Sequence, residues 1–96
     1  MNNYEILYIL SDKQDADAKK ALVEKFKSLV ESYGEVTVDE WGSRNLAYPI
    51  RTKISGKHFT GYYVFMKFSA PPEIPAEIER QMRISDEVLR FLIERV

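Results

Sequence analysis

Phe59-Thr60-Gly61-Tyr62-Tyr63-Val64-Phe65-Met66-Lys67-Phe68 decides how this chain folds. The run is dense in aromatic and β-branched residues and is stopped by Pro71-Pro72, so it reads as a strand. Side chains alternate between the two faces of a strand. Lys67 avoids a core, which puts Tyr63 and Phe65 on its side and leaves Tyr62, Val64, Met66 and Phe68 for the buried face. A sheet with one sealed and one open face follows.

Working upstream, Thr52-Lys53-Ile54-Ser55-Gly56-Lys57 reads as a polar hairpin loop. Before it Val36 to Arg51 forms a long strand with a bulge or bend at Gly42. Ala18, Leu22, Phe26, Leu29 and Tyr33 recur at helical spacing, with Gly34 as the C-terminal cap. Tyr4 to Leu10 is a short apolar run that reads as a buried strand, ended by Ser11-Asp12, whose oxygens can cap the helix. Downstream, Ile74, Ile78 and Met82 mark a second helix with Pro75 in its first turn. Val88 to Ile93 is the last strand. The order β-α-β-β-α-β predicts an α+β, ferredoxin-like sandwich: a four-stranded antiparallel sheet with two helices on one face. Ninety-six residues fill one core, so residues 1–96 form a single domain.

The same alternation assigns the other faces. Glu5 placed outward carries Leu7 and Ile9 with it, and Arg90 placed outward carries Leu92, leaving Leu89, Phe91 and Ile93 inward. Leu7, Ile9, Tyr63, Phe65 and Leu92, ringed by Glu5, Lys67 and Arg90, then make an open apolar patch too large for a lone monomer. Such a face predicts a protein partner.

Charge is segregated. Trp41 to Pro72 holds five of the fourteen cations and none of the fifteen carboxylates, a local excess of about +5 in a chain of net charge −1. This suggests a surface that meets a polyanion. Arg44 and Arg51 carry the guanidinium fork that matches phosphate oxygens. Lys53 and Lys57 on the expected loop, and His58 read as a loop residue near phosphate, complete the set, with Arg83 and Arg90 as further candidates. Leu46, Tyr48 and Ile50 share one alternation phase and are expected in the core, although an aromatic in a basic strand can also stack on an unpaired base.

Catalytic chemistry finds no support. There is no cysteine and a single histidine, so neither a disulfide framework nor a metal site is expected, and no cofactor. Glu77 and Glu79 do not share a helical face, and no Gly-rich phosphate loop or nucleophile elbow occurs. The start Met1-Asn2-Asn3-Tyr4-Glu5 lacks the basic opening and apolar run of a secretory signal, and no run approaches the ~20 apolar residues of a membrane span. A soluble intracellular protein is expected.

Trp41-Gly42-Ser43-Arg44-Asn45-Leu46-Ala47-Tyr48-Pro49-Ile50 resembles the signature of the family of the sixth protein of the bacterial small ribosomal subunit. Met1 through Glu5, Gly61 through Phe68 with Ala70-Pro71, and Arg83 through Leu92 resemble other blocks of that family, in order and at matching spacing. The resemblance implies a ferredoxin-like fold, no catalysis and a cytoplasmic place in the platform of the small subunit. It implies binding of small-subunit ribosomal RNA together with the eighteenth small-subunit protein, the free protein being a monomer without a small-molecule substrate. The chain departs from the family at Ser43 and Asn45, and near Asn2 and Asn3, where further basic residues are usual.

Two other functions fit the same fold. An RNA-recognition motif also carries aromatics on its third strand, but its exposed pair falls one and three residues after the glycine, where Tyr62 and Val64 are assigned inward here. A small regulatory ligand-binding domain would be a homodimer with a pocket and has no need of a basic, carboxylate-free strand.

Overall fold

A computed structural model describes residues 2–52 and 56–96. The elements run β1 (Asn2–Ser11), α1 (Ala16–Glu31), β2 (Val36–Thr52), β3 (Gly56–Ala70), α2 (Ile74–Ile84) and β4 (Val88–Arg95). The strands form one antiparallel sheet in the order β2-β3-β1-β4. This is the expected β-α-β-β-α-β sandwich, with β2 and β4 at its edges.

Alternation on the central strands holds as the sequence implies. Tyr4, Ile6, Tyr8 and Leu10 of β1 and Val64, Met66, Phe68 and Ala70 of β3 are buried beneath Val23, Phe26 and Val30 of α1 and Ile78 and Met82 of α2. Fully burying an aliphatic or aromatic side chain contributes about 1.5–3 kcal/mol, so this one layer carries the stability of the domain. Tyr8 meets Phe26 edge to face at 5.4 Å, and Tyr4 stacks on Phe68 at 5.6 Å.

The ends of the elements differ from expectation in four places. The cap of α1 is Asp15, whose carboxylate accepts from the Ala18 N–H at 2.8 Å; Asp12 is engaged elsewhere. Helix α1 stops at Glu31, closed by the Tyr33 N–H donating to the Val30 carbonyl at 3.0 Å, and Gly34 does not take the left-handed conformation of a glycine cap. In β4 the register against β1 slips between Ile9 and Leu10, so Leu89 drops out of the ladder and Val88 pairs with Leu10 and packs on the core instead. The β2–β3 hairpin is longer than the sequence suggests, because pairing continues to Thr52 opposite Gly56. Lys57 and His58 are therefore strand residues, not loop residues.

Two irregularities shape β2. Glu40 pairs with Val64 and Gly42 with Tyr63, so Trp41 is an inserted bulge residue, and Gly42 takes φ +86° to allow it. Farther on, Asn45 pairs with Thr60 and Ile50 with His58, so four residues of β2 stand opposite one of β3. Beyond Ser11↔Gly61 the strand β1 ends, and β2 and β3 continue together as a two-stranded arm.

Candidate nucleic-acid interface

The open face is built from β1, β3 and β4 side chains of one phase. Leu7 lies opposite Phe65 and Leu92, and Ile9 opposite Tyr63 and Arg90. Leu92 is 58% exposed, while Leu7, Ile9, Tyr63 and Phe65 are half-buried. What half-buries the two aromatics is Trp41. Its ring lies 8° from the plane of Tyr63 at 6.4 Å and 18° from that of Phe65 at 5.9 Å. The Trp41 indole N–H donates to the Asp39 carboxylate at 3.0 Å, which fixes the ring over the sheet. Sequence reading left Trp41 without a place on this face; it continues the phase of Thr37 and Asp39, and the bulge then lets Gly42 and Arg44 share that face as well.

Ties on the helix side hold that bulge. Ser43 Oγ donates to Asp12 Oδ1 at 2.7 Å, and Tyr62 Oη donates to Glu40 Oε1 at 2.7 Å. Lys19 Nζ lies 2.6 Å from Asp12 Oδ1 and 5.0 Å from the centre of the Tyr62 ring. Burial opposes ionisation of Asp12, but the hydrogen bonds from Lys19 and Ser43 and the Lys19 charge hold its carboxyl below the usual range. The hydrogen bond to Glu40, with burial, pushes the Tyr62 hydroxyl up to about 12. With Glu40 and Ser43 anchored on one side of the sheet, Trp41 between them projects to the other.

Arg44 pairs with Gly61 and so reaches the open face as well, its guanidinium 5.2 Å from the Trp41 ring. Lys67 stands over Phe65 at 5.8 Å and is 3.7 Å from Glu5. Cations thus frame the aromatic stack at both ends. Arg44 thus belongs both to the carboxylate-free stretch and to the apolar face.

The arm carries the rest. Arg51 and Lys57 are exposed and directly opposite each other across β2 and β3, and Lys57 Nζ lies 5.4 Å from the Phe59 ring. Tyr48 is 83% and Phe59 62% exposed. Tyr48 is not a core residue, because the four-residue bulge that contains it breaks the alternation on which that expectation rests. Leu46 folds back over the sheet, its Cδ2 lying 3.3 Å from where a Gly61 Cβ would stand, and Ile50 is buried. Residues 46–48 and Ile50 join Ile9, Tyr63 and Arg90 around a cavity of about 180 Å³ at the root of the arm. Phe59 is the other aromatic that the sequence reading did not single out. Its place between basic residues in a carboxylate-free stretch was the available signal.

The remaining candidates fall in three groups. His58 is 2% exposed and sits in β3 opposite Ile50, so it is not a loop residue positioned to touch phosphate; burial and the nearby Lys13 charge push its pKa down. Arg83 lies in the last turn of α2, ion-paired to Glu79, and is not brought to the arm. Lys53 lies outside the described residues. Among the described residues Arg44, Arg51, Lys57 and Arg90 form no ion pair, and no group of three His, Cys, Asp or Glu is arranged to hold a metal.

A family model described as Ribosomal protein S6 matches residues 3–95. The chain is 50% identical over 95 residues to small ribosomal subunit protein bS6 of Clostridium novyi, covering 97% of this chain and 95% of that one. It is 48% identical over 97 residues to the protein of the same name from Caldanaerobacter subterraneus, covering 99% and 97%. Among solved structures, 30S ribosomal protein S6 from Thermotoga maritima is similar with a TM-score of 0.86 at 26% identity, covering 99% of this chain and 87% of that one.

Proposed function

The chain belongs to the ribosomal protein S6 family of the small ribosomal subunit, and from that premise we propose that it is a non-catalytic structural component binding small-subunit ribosomal RNA through its β2–β3 arm. On the same reading the open sheet face receives a second polypeptide, the eighteenth small-subunit protein, and the free protein is a monomer. The observation that carries the RNA reading is the arm itself. It presents Arg51 and Lys57, with Arg44 at its root, none of them ion-paired among the described residues, together with the exposed rings of Tyr48 and Phe59, in a stretch that has no carboxylate. Cations take phosphates and free ring faces take unpaired bases, a combination suited to backbone and shape recognition rather than sequence readout.

The docking reading rests on the aromatic face. Trp41, Tyr63 and Phe65 form a stacked strip continued by Leu7 and the exposed Leu92, a preorganised surface of the kind that anchors protein interfaces. The overall charge of −1 favours weak binding of RNA by the protein alone. The test is an RNA-binding titration of the full chain against small-subunit ribosomal RNA, with and without the eighteenth protein. Weak binding alone and cooperative binding with the partner is the expected result. Equally tight binding in both conditions would contradict the division of labour between arm and sheet.

A further inference from the structure

Near the end of the arm two cations stand directly opposite each other. Arg51 and Lys57 are Cα partners in the β2–β3 ladder, both exposed, and neither forms an ion pair among the described residues. Like charges directly opposite in an antiparallel pair repel and weaken it. The stretch Gly56–Thr60 pairs with β2 alone, so no third strand shields this end of the hairpin.

We propose that Arg51 and Lys57 form one seat for a single phosphate group of a polynucleotide backbone, held under mutual repulsion until that phosphate arrives. This rests on the RNA reading of the arm and assigns its end a distinct role. The guanidinium offers a planar two-donor edge to two phosphate oxygens, while the Lys57 ammonium acts as a mobile point charge on the others. The neighbouring rings favour a polynucleotide as the source of the phosphate. Phe59 already lies against Lys57, and both it and Tyr48 expose faces on which a base can stack. The phosphate replaces a repulsive pair with a bridged one, so arm stability and RNA binding are linked through the same side chains.

The linkage gives one substitution two opposite effects. Lys57→Glu converts the repulsive pair into a cross-strand ion pair with Arg51. The free protein is expected to melt about 2–5 °C higher. Binding to small-subunit ribosomal RNA in the presence of the eighteenth protein is expected to fall about tenfold, with the salt slope reduced by about one. Arg51→Glu should behave in the same way, and the double variant, which again places like charges opposite each other, should lose the gain in melting temperature. Higher stability with unchanged RNA binding overturns the seat, as does lost binding without the gain in stability or a double variant whose effects simply add. Wild-type protein that fails to bind the RNA even with its partner overturns the arm's proposed function as well, so the two failures are distinguishable.

Discussion

Trp41 lies nearly parallel to Tyr63, their planes 8° apart at a centroid distance of 6.4 Å, although the two residues belong to different strands and Trp41 has no partner in the ladder. The stack converts an apolar sheet face into a layered one, with Arg44 as its outer cover. Aromatic pairs of this kind contribute about 0.5–1.5 kcal/mol beyond their buried area. Trp41→Ala is therefore expected to lower stability by about 1–2 kcal/mol and to abolish the near-ultraviolet circular dichroism of the stacked rings. On the docking reading it weakens binding of the eighteenth protein by at least tenfold, measured by calorimetric titration. Full-strength binding by the variant would move the docking site off this face.

Tyr48 supplies the contrast. At 83% exposure its ring has little to lose on truncation, so Tyr48→Ser is expected to leave stability within about 0.5 kcal/mol of wild type. The drop should appear in affinity for ribosomal RNA instead. A large shift of the denaturant midpoint would place the ring in a core after all.

Gly61 is where the arm leaves the four-stranded sheet. A methyl group there would collide with Ile9 Cγ2 and press on Leu46 Cδ2 at 3.3 Å. Gly61→Ala is expected to cost about 1–3 kcal/mol, the range for overpacking a tight site. A urea melt measures it, and because Ile9 Cγ2 is the atom in the way, the double variant with Ile9→Ala should lose less than the two single substitutions summed.

The buried His58 makes a pH prediction. Burial, with help from Lys13, keeps its pKa below the unperturbed value, so the unfolded chain binds a proton that the folded chain resists. Stability is thus complete above about pH 6.5 and falls as the pH drops below it. His58→Gln should flatten the dependence of the urea midpoint between pH 7.5 and 5. An unchanged slope would assign the effect to other groups.

The sequence made the element order legible because β1 and β3 keep strict alternation, and residues such as Glu5 and Lys67 leave little freedom in choosing faces. The same logic failed along β2. Trp41 adds one residue and 46–49 add several more, and each addition resets which side chains face the helices. Tyr48 was misplaced for that reason and Trp41 had no assigned face. His58 was misjudged because a polar run before it resembled a loop, whereas pairing extends to Thr52↔Gly56 and encloses it. Of the candidate cations among the described residues, Arg44, Arg51, Lys57 and Arg90 stand on accessible surface without an ion pair, whereas Arg83 is exposed but held by Glu79, a helix pairing at i and i+4.

The extra residue at Trp41 works like a single-letter insertion in a two-letter code. Upstream of it Thr37 and Asp39 share a side with Lys67 and Phe65; downstream Gly42 and Arg44 do, where an uninterrupted count would have offered Ser43 and Asn45. Deleting Trp41 would take the extra letter out: Gly42 and Arg44 would follow Asp39 in plain alternation, Arg44 keeping its side and Ser43 its place near Asp12, while the ring over Tyr63 and Phe65 is lost. What the insertion supplies is the indole alone, a third ring on the open face that moves no other side chain across the sheet.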